Sequence, residues 1–303
     1  MTPRSPSYER AAQSRLDRTP RPAQTAQTAQ TAVSAHRRTV DLETPYMLAS
    51  IRDGVGWMTF NNPDRRNAMK LEMSRAVIDI LATFDADDDV RVVVMRGAGD
   101  KAFVSGADIS EFDQHRSTPE ARAYFDELAA ASAHAFSSLE KPLIAMIRGF
   151  CMGGGLATAL QADLRIAADD AQFGIPAARL GLGYGFDGVK KLTHIVGPTM
   201  AAEIMLTARR FGATEANAMG LINRVVAVKE LETAVAELAA SIAANAPLTV
   251  KAAKASVRET FKDPDRQDRD RIAGLVEACF RSDDYKEGRS AFLEKRVAEF
   301  RGR

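Results

Sequence analysis

The chain has 303 residues, 46% hydrophobic and 27% charged, a composition that can bury a substantial core. Its 41 Lys plus Arg stand against 40 Asp plus Glu, and a net charge of +1 gives no electrostatic case for nucleic acid as the main partner. Cys151 and Cys279 lie far apart without metal-ligand spacing, which argues for a reducing, cytoplasmic compartment, and the longest apolar stretch, Pro142 to Leu160, is broken by Arg148 and glycines and does not read as a membrane span.

The first forty or so residues carry Arg4, Arg10, Arg15, Arg18, Arg21, Arg37 and Arg38 against only Glu9 and Asp17, with the small repeat "AQTAQTAQT". Few apolar side chains are present to offset ordering entropy, so residues 1–44 are expected to be a disordered tail. Arg-rich, acid-poor tails also occur as organelle transit peptides. Pro20, Pro22 and the absence of an amphipathic face favour a plain extension.

From Tyr46 the pattern becomes globular. "MLASIRDGVGWMTFNNP" reads as two strands about a turn at Asp53–Gly54. Met69, Met73, Val77, Ile80, Leu81 and Phe84 follow with helical spacing. Val90 to Gly97 reads as a buried strand. A helix is expected from Asp108, with Glu111 three residues on as a capping box, and another over Pro119 to Leu139. "KPLIAMIRG" and "DLRIAA" are further buried strands, with a glycine turn and a helix between them. Strand and helix alternate, which predicts an α/β fold with a largely parallel sheet over residues 45–245. Beyond Pro198 the chain reads as helical apart from "INRVVAV". The expected helices are Met200 to Ala208, Thr214 to Met219, Lys229 to Asn245, Leu248 to Phe261, Asp270 to Phe280 and Tyr285 to Phe300. Residues 246–303 form an appended helical region.

The stretch "GFCMGGGLATAL", Gly149 to Leu160, stops a strand with three glycines and starts a helix. Such a turn aims unpaired N–H groups and the positive end of the helix dipole at one point. Neither the dinucleotide-binding G-x-G-x-x-G nor the Lys-Ser/Thr of a P-loop is present, and tight strand-to-helix packing explains the turn equally well by itself. Its companion is "KAFVSGADISEF", Lys101 to Phe112, a second glycine-bearing turn. Two such turns on neighbouring parallel strands bring together two N–H donors, which is what an oxyanion hole needs.

With these stretches the sequence resembles the crotonase (enoyl-CoA hydratase/isomerase) superfamily from about Met47 onward. The matching segments are "NNPDRRNAM", "KAFVSGADI", "KPLIAMIRGFCMGGG", "AQFGIPAARLGL", "AMGLINRVV" and "EGRSAFLEKR". The resemblance implies a crotonase-like spiral of ββα units with a helical C-terminal oligomerisation region, giving a homotrimer or a dimer of trimers. It implies an acyl-CoA thioester as substrate, as in fatty acid metabolism, with coenzyme A as part of that substrate and no separate cofactor or metal. By position, the oxyanion donors it implies are the N–H groups of Ser105 and Gly154. The implied CoA contacts are Arg66, Ala68, Ala107, Asp108 and Ile109, together with Phe292 and Lys295 reaching a neighbouring subunit.

Two departures matter. The hydratases of this family place one glutamate where Ala157 stands and a second where Ala177 stands, in "FGIPA". Hydration needs a base for water and an acid for the α-carbon, and alanine supplies neither. Tyr184, in "LGLGYGFDGVKKLTH", lies where the superfamily's methylmalonyl-CoA decarboxylases have a tyrosine, although Gly183 and Gly185 replace that motif's proline and asparagine. Tyr184 and Asp187 are therefore the candidate side chains for chemistry. Tyr184 reads equally as an aromatic lining the aperture, and Asp187 as a residue of the turn before the next helix. His194 reads as a packing residue, His115 and His134 have no visible partner, and Cys151 reads as a small core residue. Lys251, Lys254, Arg258 and Lys262 share one helix face, which reads as solvated. The reaction classes left open are hydration or isomerisation, a decarboxylase-like lyase, and a CoA-binding scaffold without catalysis.

Overall fold

The computed structural model describes residues 37–108 and 118–303. The described chain begins as a strand. β1 (Arg38–Val40) pairs antiparallel with β2 (Met47–Arg52), setting Val40 beside Ala49 and Arg38 beside Ile51. The expected disordered tail of residues 1–44 is thus too long at its C-terminal end. The open edge of β2 offers unpaired backbone groups, β1 satisfies them, and Arg38 is ion-paired with Asp87. β2 returns as β3 (Val55–Phe60) through Asp53 and Gly54, whose φ values of 53° and 76° suit a two-residue hairpin.

The remaining strands are β4 (Val92–Gly97), β5 (Ala102–Val104), β6 (Leu143–Ile147), β7 (Phe150–Met152), β8 (Leu164–Ala168), β9 (Gln172–Gly174), β10 (Phe211–Gly212) and β11 (Arg224–Val226). They build a seven-stranded sheet in the order β1-β2-β3-β4-β6-β8-β11 and a four-stranded sheet in the order β10-β9-β7-β5. From β3 to β11 the large sheet is parallel. The small sheet falls outside the expectation from sequence: its two- and three-residue strands are too short to show a period, and two of them flank the glycine turns.

The described helices are α1 (Leu71–Ala86), α2 (Pro119–Ser138), α3 (Gly154–Ala159), α4 (Phe186–Thr207), α5 (Ala213–Ala218), α6 (Leu231–Ala243), α7 (Pro247–Glu259), α8 (Arg269–Arg281) and α9 (Asp283–Glu294). β3 and most of β4 are buried because helices cover both faces of the large sheet. On one face α1 buries Met73, Val77, Ile80 and Phe84 in the main core. On the other, Leu231, Val235 and Ala239 of α6 pack with Val92, Val94, Ile144 and Ile166. Each large apolar side chain so buried contributes about 1.5–3 kcal/mol.

Three expectations change. α4 begins at Phe186, well before Met200, and bends at Gly197 (φ 77°, ψ 163°), because the residue before Pro198 is held out of helical geometry. The last helix stops at Lys295, where φ is 56°, rather than running to Phe300. Beyond it the chain doubles back, and the buried Asp284 carboxylate accepts the N–H groups of Arg301 and Gly302 at 2.7 and 2.8 Å. The cationic stripe on α7 is a docking face, not a solvated one. Lys254, its side chain 7% exposed, sits 2.8 Å from Asp163, and Arg258 donates to the Ser137 and Leu139 carbonyls at 2.8 and 3.0 Å. Lys251 pairs with Glu140, and Lys262 with Glu259 on its own helix. Burial lowers the Lys254 pKa to about 8, against the raising effect of Asp163.

Candidate active site

β5 and β7 lie side by side and parallel, Ala102 beside Phe150 and Val104 beside Cys151. Each runs into glycine: Gly106 follows β5, and Gly153, Gly154 and Gly155 follow β7. The neighbouring parallel strands that carry the two turns are therefore those of the small sheet. Gly155 permits their approach, since a Cβ there would stand 2.0 Å from the Val104 carbonyl oxygen. Backbone cannot yield to such a contact, so α3 docks on β5 only through glycine.

Gly154 is the first residue of α3, a position whose N–H has no partner within its helix. A Cβ built on it would lie 3.7 Å from the Ala107 nitrogen, so the two peptides are neighbours. Ala107 forms a bridge with Met69: the Met69 N–H donates to the Gly106 carbonyl at 2.8 Å, and the Asp108 N–H to the Met69 carbonyl at 2.9 Å. That pattern turns the Ala107 N–H away from Met69, and none of the described hydrogen bonds uses it.

Ser105 is a correction. Its N–H donates to the Arg66 carbonyl at 3.1 Å and its hydroxyl to the Arg65 carbonyl at 3.4 Å. Gly106, at φ 121°, turns the chain between Ser105 and Ala107. The donor left facing Gly154 is Ala107, which the sequence reading placed only among CoA contacts.

The loop that consumes the Ser105 N–H is shaped by asparagines. Arg66 and Asn67 have φ of 53° and 55°. The fully buried Asn67 accepts the Asn62 N–H at 2.9 Å and donates to the Ala98 and Ala102 carbonyls at 2.9 and 2.8 Å. Those bonds tie "RRNAM" to the start of β5, bury Ala68, and leave the Arg66 side chain exposed over the Phe150 ring. The sequence signal for this was an asparagine in a turn, whose short amide tolerates positive φ.

Ala157 is half-buried in α3, and Ala177 is buried in a short turn of 3-10 helix, Pro176–Leu180. Neither has a titratable group. Among the described residues, two hydroxyls are tied to the glycine turn: Thr158 donates to the Gly154 carbonyl at 2.9 Å, and Tyr184, the titratable one, to the Gly153 carbonyl at 3.5 Å, a long contact. Burial raises its pKa above that of an ordinary phenol, so it stays protonated at neutral pH. Asp187 is exposed on the first turn of α4, where its charge suits the helix dipole, and no described bond joins it to the glycine turn. His194 stacks on Phe261 with centroids 5.4 Å apart, and His134 meets Ser138 at 3.2 Å. Burial pushes the Cys151 thiol far up, so it is no nucleophile. Asp108 is buried. Ile109, His115 and the helix expected from Asp108 through Glu111 lie outside the described residues. Phe292 is 84% exposed near the end of α9, with Lys295 just beyond it.

A parallel α/β sheet beside a small second sheet, with the Gly154 and Ala107 peptides neighbours beyond two of its strands, defines a protein of the crotonase fold. Comparison with known proteins narrows this. The family model for enoyl-CoA hydratase/isomerase matches residues 50–303. The chain is 39% identical over 246 residues to the crotonyl-CoA hydratase of Syntrophomonas wolfei, covering 79% of this chain and 92% of that protein. It is 34% identical over 250 residues to the carnitinyl-CoA dehydratase of Shigella flexneri, covering 81% and 94%. The crystal structure of an enoyl-CoA hydratase/carnithine racemase from Magnetospirillum magneticum superposes with a TM-score of 0.80 at 33% identity, covering 86% of this chain and 97% of that one. The chain belongs to the enoyl-CoA hydratase/isomerase family.

Proposed function

We propose that the protein is an acyl-CoA-processing enzyme that stabilises a thioester enolate between the N–H groups of Gly154 and Ala107. The observation that carries this reading is that the Gly154 and Ala107 peptides are neighbours and that none of the described hydrogen bonds uses either N–H, one of them at a helix N-terminus. A thioester oxygen placed there gains negative charge as the α-carbon becomes carbanionic. Donors aimed at that charge are worth about 3–4 kcal/mol each in an oxyanion hole. Coenzyme A is the handle of the substrate, with Arg66, Ala68, Ala107 and Asp108 along its path. Phe292 and Lys295, exposed at the end of α9, suit contact with the CoA of a neighbouring subunit in a trimer or a dimer of trimers. The chemistry calls on no further cofactor.

Among the family's reactions, a decarboxylase-like lyase fits the residues best. The C–C bond to a β-carboxylate breaks, its electron pair enters the enolate, and CO₂ departs. The α-carbon then takes a proton. This sequence needs no base, which agrees with Ala157 and Ala177, and Tyr184 is protonated and beside the turn. Hydration is the second reading, favoured by the names of the relatives. Purified protein is to be assayed for hydration of crotonyl-CoA and for CO₂ release from methylmalonyl-CoA. CO₂ release with negligible hydration is expected. Hydration at a rate ordinary for the family overturns the lyase reading, and acyl-CoA binding without turnover of any thioester supports the scaffold.

A further inference from the structure

Two arginines share one aromatic ring. The guanidinium carbon of Arg66 stands 5.1 Å from the Phe150 ring centroid and that of Arg210 stands 5.6 Å from it, so the two charges are at most about 11 Å apart. Both side chains are exposed, and none of the described ion pairs uses either. The contrast with the preceding residue is sharp: Arg209 is held by Glu203 and Glu215, each at 2.9 Å. A ring face attracts a cation but does not neutralise it. Their planar forks of N–H donors match the oxygens of phosphate.

The backbone sets this pair beside the candidate active site. Phe150 opens β7, which runs into Gly154. Arg210 immediately precedes β10, which pairs with β9, the neighbour of β7. The Arg66 carbonyl accepts the Ser105 N–H, two residues before Ala107.

We propose that Arg66 and Arg210 form a phosphate-binding cradle on Phe150. Resting on the acyl-CoA reading, Arg210 is the second cation that receives the phosphorylated tail of the substrate. Arg210 lies outside the stretches that carried the family resemblance.

The test measures, by calorimetry, binding of CoA, 3′-dephospho-CoA and inorganic pyrophosphate to the wild type, Arg210→Ala and Arg210→Lys. An acyl-pantetheine thioester without phosphate serves as a fourth ligand. Arg210 is exposed, and unchanged melting temperatures check that the variants fold. Arg210→Ala is expected to weaken CoA about tenfold, Arg210→Lys less, and the pantetheine thioester not at all. A tenfold loss for CoA that disappears with 3′-dephospho-CoA assigns the cradle to the 3′-phosphate, and a loss shared by both assigns it to the diphosphate. CoA binding unchanged in Arg210→Ala overturns the cradle while leaving the acyl-CoA reading intact. If the wild type binds neither CoA form, the acyl-CoA reading fails and pyrophosphate decides the cradle: binding that Arg210→Ala abolishes upholds it, and no binding overturns it.

Discussion

Gly154→Pro removes one donor without removing a side chain. Gly154 is the first residue of α3, the helical position that accepts proline best, because its N–H has no partner in the helix. A Cβ there meets the Ala107 nitrogen at 3.7 Å and the Gly106 carbonyl carbon at 3.9 Å, ordinary contact distances, so the added Cβ fits the backbone. Gly154→Ala adds the same Cβ and keeps the N–H. The difference between the two variants therefore isolates the hydrogen on nitrogen and the space it points into. Losing one donor of an oxyanion hole costs about 10²–10³-fold in kcat, or about 2.7–4 kcal/mol. The loss is expected in kcat rather than KM, because the bond strengthens only as charge develops on the thioester oxygen. Steady-state kinetics on the acyl-CoA that the wild type turns over, with thermal melts to show that both variants fold, give the measurement. Equal kcat for folded Gly154→Pro and Gly154→Ala would refute the donor role.

Tyr184→Phe keeps the ring and removes the hydroxyl. It is expected to lower kcat at least tenfold if the hydroxyl delivers the proton, and less than twofold if the ring only lines the aperture; pre-steady-state CO₂ release separates the two. Asp163→Asn removes the carboxylate beside Lys254 and Arg258 and is expected to cost about 3–5 kcal/mol in urea unfolding, because the buried Lys254 loses its counter-charge. A cost below about 1 kcal/mol would show that α7 docks without it. The pH dependence has a definite sign. Burial lowers Lys191 and Lys254 to about 8 from 10.5. Below pH 8 both are charged in folded and unfolded chains alike, and the folded state carries the whole cost of burying them. Between pH 8 and 10.5 the unfolded chain binds more protons, so this contribution to stability rises with pH. Wild type should therefore gain stability relative to Lys254→Met across that window in urea melts at stepped pH, and a flat difference would contradict the lowered pKa.

The sequence shows the large sheet well and the small one poorly, for a physical reason. β3 and β4 are apolar runs with turn residues at their ends, and α1 repeats apolar residues at helical spacing over sixteen residues. β5, β7 and β9 have three residues each, shorter than any period that could reveal them. The candidate site shows the same limit. Two glycine turns are readable, but which N–H is free depends on the Arg66 carbonyl, remote in sequence from Ser105. Spacing alone cannot distinguish Ser105 from Ala107. The α7 stripe fails likewise: its partners, Glu140 and Asp163, lie on other elements, so helical periodicity finds the face and not what the face meets.

The paired donors and the acid–base groups answer to different parts of the chain. Gly154 and Ala107 offer backbone N–H groups whose positions follow from strand pairing, the Gly155 contact and the Asn67 loop. Those features are compatible with many side chains, so the electrostatic half of the site can persist while the proton-transfer half changes. On the proposed reading, Ala157 and Ala177 mark where that change falls in this chain. If crotonyl-CoA is hydrated despite them, some other group must deliver a proton to the α-carbon, and the Tyr184 hydroxyl, bonded to the Gly153 carbonyl, is the candidate. Its raised pKa keeps that proton in place until a base as strong as an enolate carbon arrives. The same substitution thus serves both chemistries. Tyr184→Phe should abolish hydration if tyrosine replaces the missing acid. In a decarboxylase it should leave CO₂ release fast and slow only the protonation that follows, because the C–C bond breaks before any proton is needed.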